Sequence, residues 1–300
     1  MKKQKKGKAI RYTTGDRIFL AIDYVLLAFF LIIIAYPLLF VISASFSAGA
    51  TTMTLSLIPK RFSTAGYEAV LQYKDIWSGY GNSLVYMIAG TALSLALTVL
   101  MAYPLSRPDF KAGGFIMVLC MITMYFSGGL IPTYLVVRNL GLLGTRWAVL
   151  LPGAMSVYNM IVTRTYFKTS IPGELFEAGQ LDGCGNIRYL FSVVLPLSGP
   201  ILAVVGLFYA VGYWNAYFDA MIYLSGKRGL FPLSLILREI LILNDASIDQ
   251  MDINTLLALE ERRNVMKYAV IVVSSLPVML IYPFVQRYFV KGVMIGAVKG

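Results

Sequence analysis

Six apolar runs, each near the roughly 20 residues a helix needs to cross the hydrocarbon of a bilayer, constrain this chain more than anything else in it. They cover about Phe19 to Phe46, Leu84 to Leu105, Phe115 to Val137, Trp147 to Phe167, Ile201 to Leu224 and Tyr268 to Phe289. Hydrocarbon offers no water to backbone N–H and C=O groups, so spanning segments must be helices or strands of a closed barrel. These runs are too long and too continuously apolar for the alternating strands of an outer-membrane barrel. The expected fold class is all-α, a polytopic membrane protein of six transmembrane helices. A composition of 58% hydrophobic and 14% charged residues, with mean hydropathy +0.72, agrees, because no soluble globular surface is built that way. Pro37, Pro132, Pro152 and Pro277 fall inside the runs, which bilayer helices tolerate where neighbouring groups re-satisfy the freed backbone.

The first eleven residues, MKKQKKGKAIR, carry six basic residues and no acid, and the apolar stretch behind them is too long for a signal-peptide core. The expectation is an uncleaved first span with its N-terminus in the cytoplasm; six spans return the tail from Gln286 to the same side. Lys and Arg then divide fifteen inside to eleven outside, although the outside loops, Ser47 to Ser83 and Ser225 to Lys267, are the longer ones. The net charge of +11 is accounted for by basic residues meeting anionic headgroups, without nucleic acid. The expected division is a basic cytoplasmic N-terminus over 1–18, a permeation domain over 19–290 containing a loop at 173–196, and a cytoplasmic tail over 291–300.

Chemistry-bearing constellations are absent from the sequence. There is no histidine, and Cys120 and Cys184 are the only cysteines, so ligand clusters for zinc, haem or iron–sulfur centres are missing, as is a His-based triad. Gly7-Lys8 and Gly226-Lys227 are followed by Ala and Arg, not by the Ser or Thr of a phosphate-cradling loop. No metal or cofactor is expected on this chain, and no enzyme activity.

Between the fourth and fifth runs lies GELFEAGQLDGCGNIRYLFSVVLPLSGP, Gly173 to Pro200. Ser170, Pro172, Glu174 and Glu177 suit a helix start, where carboxylates meet the positive end of the dipole. Gly183 and Gly185 break that helix, and a second over Asn186 to Leu195 would place Ile187, Leu190, Phe191 and Val194 on one face before Pro196 stops it. By periodicity alone that face could equally pack on the protein's own surface. The spacing of Glu177-Ala178, Asp182-Gly183 and Leu195-Pro196, however, resembles the EAA loop of ABC importer permeases. The resemblance implies that Glu177, Ala178, Gly179, Asp182, Gly183, Leu195 and Pro196 form the coupling element that seats in an ATPase subunit. Gly179 and Cys184 stand where alanine is commoner in that family, and Gly179 is expected to weaken the first helix by up to about 1 kcal/mol relative to Ala.

QRYFVKGVMIGAVKG at the end of the chain, FSGGLIPTYLVVRNLGLLGT in the third run and YWNAY in the fifth extend the resemblance, to carbohydrate importer permeases of the maltose-transporter type. It implies a second homologous permease, two ABC ATPase subunits that bind ATP and Mg2+, an extracytoplasmic solute-binding protein and an oligosaccharide substrate. It also implies that Gly296, Ala297, Val298, Lys299 and Gly300 contact the ATPases. Tyr209, Tyr213 and Tyr217 recur at helical spacing beside Trp214, Asn215 and Asp219, a combination suited to sugar C–H faces and hydroxyls, and equally to interfacial belts or helix packing. Tyr209, Tyr213, Trp214, Asn215 and Tyr217 are the candidate substrate pathway. Asp23 and Arg164 lie near the cytoplasmic ends of their runs, where headgroups or snorkelling can hold them. The readings that compete are a stand-alone carrier or channel, an ABC permease for a non-sugar solute and, least supported, a membrane enzyme. PLSLILREILI and the acid-rich stretch after it are either a docking surface or a solvated cap.

Overall fold

The structure, a computed structural model, describes residues 13–47, 58, 62–242, 266–280, 283 and 286. Its regular elements are helices, apart from one isolated antiparallel bridge between Ser47 and Phe62. In chain order they are α1 Thr14–Ser45, α2 Ala65–Gln72, α3 Lys74–Ser106, α4 Gly113–Tyr125, α5 Leu130–Asn139, α6 Trp147–Leu150, α7 Val157–Ser170, α8 Gly173–Leu181, α9 Asn186–Tyr189, α10 Leu195–Leu197, α11 Gly199–Asn215, α12 Phe218–Tyr223 and α13 Leu233–Ile242. A further helix, α14, covers Met266–Leu280. The described residues divide into two compact units, one of residues up to Ala69 together with 266–272, the other from Val70 to 242 together with those from Val273 on.

In the first unit, α1 opens on a reciprocal cap: the Thr13 hydroxyl accepts from the Asp16 amide at 3.3 Å while the Asp16 carboxylate accepts from the Thr13 amide at 2.8 Å. Its most apolar window has no buried residue, as expected of a face that meets lipid or another chain instead of its own core. At its far end Ser45 and Tyr67 share a 2.7 Å hydroxyl bond, and Phe46 stacks on Phe62.

In the second unit α3 is the axis against which α11, α7, α13 and α4 pack. Gly90, Ser94, Thr98 and Ala102 follow one another at intervals of four residues and are buried, forming a narrow groove that lets another helix approach closely. The helix begins ten residues before the expected Leu84, because its polar first turns are satisfied by protein. Asn82 donates to the carbonyls of Gly229 and Phe231 at 2.8 and 3.1 Å and accepts from Arg146 at 2.8 Å. Tyr86 donates to Leu230 C=O at 2.8 Å, and Ser83 accepts the Leu233 amide at 2.9 Å. Arg228 completes this clamp through Asp75 and Glu239, at 2.9 and 3.2 Å. The described part of the loop after α12 is thus a packed cap; residues 243–265 lie outside the described residues.

The described helices α1 and α3 are long and apolar enough to cross a membrane, and up to four crossings result if each of two bent pairs is counted as one. The run Phe115 to Val137 is not one straight helix: α4 and α5 are bent by 113° at Phe126 to Gly129, where Gly129 adopts φ +87°. The run Trp147 to Phe167 divides into α6 and α7 around Pro152, and Ser156 restarts the chain by accepting the Asn159 amide. The run Ile201 to Leu224 divides into α11 and α12. The last run is described chiefly as α14.

Candidate functional site

The Gly173 to Pro200 segment forms α8, a turn and a second helical stretch. Pro172 supplies the extended residue before α8, and Glu174 lies in its first turn. After Leu181 and Asp182 the chain turns through Gly183, whose φ of +72° is a left-handed value that side-chain-bearing residues rarely adopt. The Cys184 amide donates to Gly179 C=O at 2.8 Å and the Gly183 amide to Gln180 C=O at 3.0 Å, the two bonds of a Schellman cap. Gly179 also has a packing reason: a Cβ there would lie 3.3 Å from Cδ2 of Tyr189, which closes over it. Its bare backbone lets the two arms of the turn approach, so the helix propensity it lacks is exchanged for contact.

The second arm departs from expectation. α9 passes into a π-helical turn, Leu190–Val194, and runs through Pro196 to Leu197 before bending by 83° into α11. Widening to the five-residue register, seen in the Leu195 amide donating to Leu190 C=O, relieves the clash a proline ring makes with the carbonyl four residues back. The expected apolar face also divides. Leu190 and Val194 are buried with Tyr189, whereas Ile187 and Phe191 are 76% and 62% exposed and, with Leu181 at 90%, form an uncovered apolar set around the turn. The inner side is anchored far away in the chain: the Arg107 guanidinium carbon sits 3.1 Å from the centre of the Phe176 ring, Phe176 meets Tyr189 edge-on, and Tyr103 donates to Asn186 C=O at 3.3 Å. Sequence spacing missed Arg107, Phe176 and Tyr189, because no local pattern connects the end of α3 to this loop.

Glu177, Ala178 and Asp182 are exposed, Leu195 is half-buried and Pro196 exposed. Residues Gly296, Ala297, Val298, Lys299 and Gly300 lie outside the described residues.

Among the tyrosines, two of the three share a face. Tyr209 and Tyr213 of α11 lie along the small-residue groove of α3. The Tyr209 hydroxyl shares a 2.7 Å bond with Thr98 and accepts the Ser156 amide at 3.0 Å. The Tyr213 hydroxyl lies 3.2 Å from Ser94 and donates to Leu150 C=O at 3.2 Å. Buried Trp214 donates to Ser274 C=O. These polar tips are used inside the protein. Tyr217 is off this face because α11 ends at Asn215 and Ala216 is extended. Asn215 and Tyr217 are exposed, and the Arg238 guanidinium lies 5.7 Å from the Tyr217 ring centre. Tyr209→Phe should lower stability by about 1–2 kcal/mol, since it strips a partner from the Ser156 amide, and thermal unfolding of the detergent-solubilised protein measures it.

The chain is 39% identical over 288 residues to the polygalacturonan/rhamnogalacturonan transport system permease protein YtcP of Bacillus subtilis, covering 95% of this chain and 99% of the relative. It is 29% identical over 280 residues to the arabinooligosaccharides transport system permease protein AraQ of Halalkalibacterium halodurans, covering 91% and 94%. Among solved structures, a bacterial ABC transporter involved in the import of the acidic polysaccharide alginate matches with TM-score 0.81 and 33% identity, over 94% of this chain and all of that one. No protein-family model matches the chain.

Proposed function

Because the chain belongs to the permease family of ABC sugar-transport systems, we propose that it forms half of the membrane pathway of an ATP-driven oligosaccharide importer. A second permease completes the pathway, two ATPase subunits hold ATP and Mg2+, and an extracytoplasmic binding protein delivers the sugar. This chain performs no chemistry and holds no cofactor. The observation that carries the reading is the Schellman-capped turn, which presents Leu181, Ile187 and Phe191 uncovered while its inner side is fastened to α3 through Phe176 and Arg107. An element uncovered outside and clamped inside suits transmission of a partner's motion to the spans.

In this reading the protein lies in the bacterial cytoplasmic membrane with six spans, the bent α4–α5 pair and the divided α6–α7 run each being one broken span. Both termini and the 173–196 loop are cytoplasmic, and the 291–300 tail meets the ATPases. ATP closes the ATPases, the loop around Glu177 to Gly183 moves with them, and the spans open outward; hydrolysis resets them. Co-expression with the genomic neighbours should bring an ATPase down with this chain, with ATP hydrolysis stimulated by sugar-loaded binding protein. Transport without ATP, and no co-purifying ATPase, would reject the reading.

For the sugar itself, Asn215 and Tyr217 are the pathway candidates whose side chains are accessible, whereas the polar atoms of Tyr209, Tyr213 and Trp214 are engaged inside the protein. Arg238 beside Tyr217 adds a cation suited to a carboxylate, in keeping with relatives named for polygalacturonan and for an acidic polysaccharide. Arg238→Gln should reduce uptake of acidic oligosaccharides about tenfold while sparing neutral ones, and Tyr217→Ala should impair both; radiolabelled uptake compares them. Equal loss for acidic and neutral sugars in Arg238→Gln would remove charge selection from this position.

A further inference from the structure

A cavity of about 450 Å³ lies beside the loop, between the end of α3, the start of α4, the last turns of α7 and the start of α8. Arg107, Arg164 and Lys168 line it, with Glu177 on the opposite charge. Asp109 engages Arg107 at 3.2 Å and Arg164 donates its Nε to Leu105 C=O at 2.7 Å, which leaves the outer guanidinium nitrogens of Arg164 and the Lys168 ammonium to set the sign. Gly173, the first residue of α8, is also in the wall, so the positive end of that helix dipole faces the same space. Tyr189, 2% exposed, also borders the cavity, with its hydroxyl oxygen shielded from the open space.

We propose that this cavity binds a phosphate group, gripped by Arg164 and Lys168, and that occupancy stiffens the joint between α3 and the loop. Its volume falls in the range of small-ligand sites. Two sources share the chemistry, an anionic lipid headgroup and a soluble phosphate. The lipid source rests on the cytoplasmic placement of the loop proposed above; the phosphate chemistry rests on the cavity alone.

The full chain, purified in detergent and exchanged into nanodiscs of phosphatidylcholine or of an equimolar mixture with phosphatidylglycerol, provides the test. Native mass spectrometry counts retained phosphatidylglycerol, and thermal unfolding in inorganic phosphate, against sulfate-free chloride of equal ionic strength, reads soluble binding. Lys168→Gln, at an exposed position, and Arg164→Gln should each weaken retention about tenfold, with unchanged unfolding in the absence of phosphate and anionic lipid for Lys168→Gln. Phosphatidylglycerol retention that inorganic phosphate does not displace assigns the lipid source; stabilisation by inorganic phosphate without lipid retention assigns the soluble one. Binding of neither, or binding indifferent to Lys168→Gln and Arg164→Gln, overturns the site. Neither readout needs an ATPase, so a failed partnership and an empty pocket are distinguishable.

Discussion

Gly183→Val is expected to reduce sugar-stimulated ATP hydrolysis of the assembled importer by tenfold or more while leaving the membrane domain folded. Gly183 adopts φ +72°, where an L-residue costs about 1–2 kcal/mol and a β-branched one more. The strain falls where the Gly183 and Cys184 amides close the Schellman cap, so relief would come by opening the turn that orients Leu181 and Ile187. No atom outside its immediate neighbours lies within 4 Å of a Cβ at this position, so the effect is one of backbone conformation and not of collision. Gly183→Asn should therefore retain most of the coupling, because asparagine tolerates the left-handed region. Full stimulation in Gly183→Val, or equal loss in both variants, would remove this turn from the coupling path.

The second large effect concerns the groove on α3. A Cβ on Gly90 would lie 2.5 Å from two ring carbons of Tyr213, and that ring is held at its tip by Ser94 and the Leu150 carbonyl. Overpacking of a held ring commonly costs 1–3 kcal/mol, so Gly90→Leu should destabilise by about 3 kcal/mol and lower the thermal unfolding midpoint of the solubilised protein. Gly81 lies on the same helix with open space where its Cβ would be. Gly81→Ala should be neutral or slightly stabilising, since alanine is the better helix former by about 1 kcal/mol. Similar losses at both positions would mean that the α3–α11 contact does not set the cost at Gly90.

Parts of the site were readable from short-range pattern. The turn was one of them: Gly183 and Gly185 are expected to end the first helix, and the chain turns at Gly183, because caps and turns depend on residues only a few positions apart. Helical periodicity misjudged the second arm: Ile187, Leu190, Phe191 and Val194 share a face of an ideal α-helix, but the π-helical turn ahead of Pro196 and the packing of Tyr189 on Gly179 separate them. The tyrosine periodicity similarly found Tyr209 and Tyr213 together, and overran the end of α11 to include Tyr217. Broken segments such as α4–α5 were drawn as single spans, since hydropathy averages over the Phe126 to Gly129 bend.

What the sequence determined by itself was membrane residence, helical class and the position of the turn at Gly183, all consequences of apolar run length and local turn chemistry. Only the tertiary structure decided which apolar residues are covered, that Arg107 reaches across to Phe176, that Asn82 and Tyr86 hold the turn Arg228–Leu230, and that the Tyr209 and Tyr213 hydroxyls are consumed inside the protein. Each of these joins residues far apart in the chain, and such partners are chosen by the packing of whole helices, which no local spacing records.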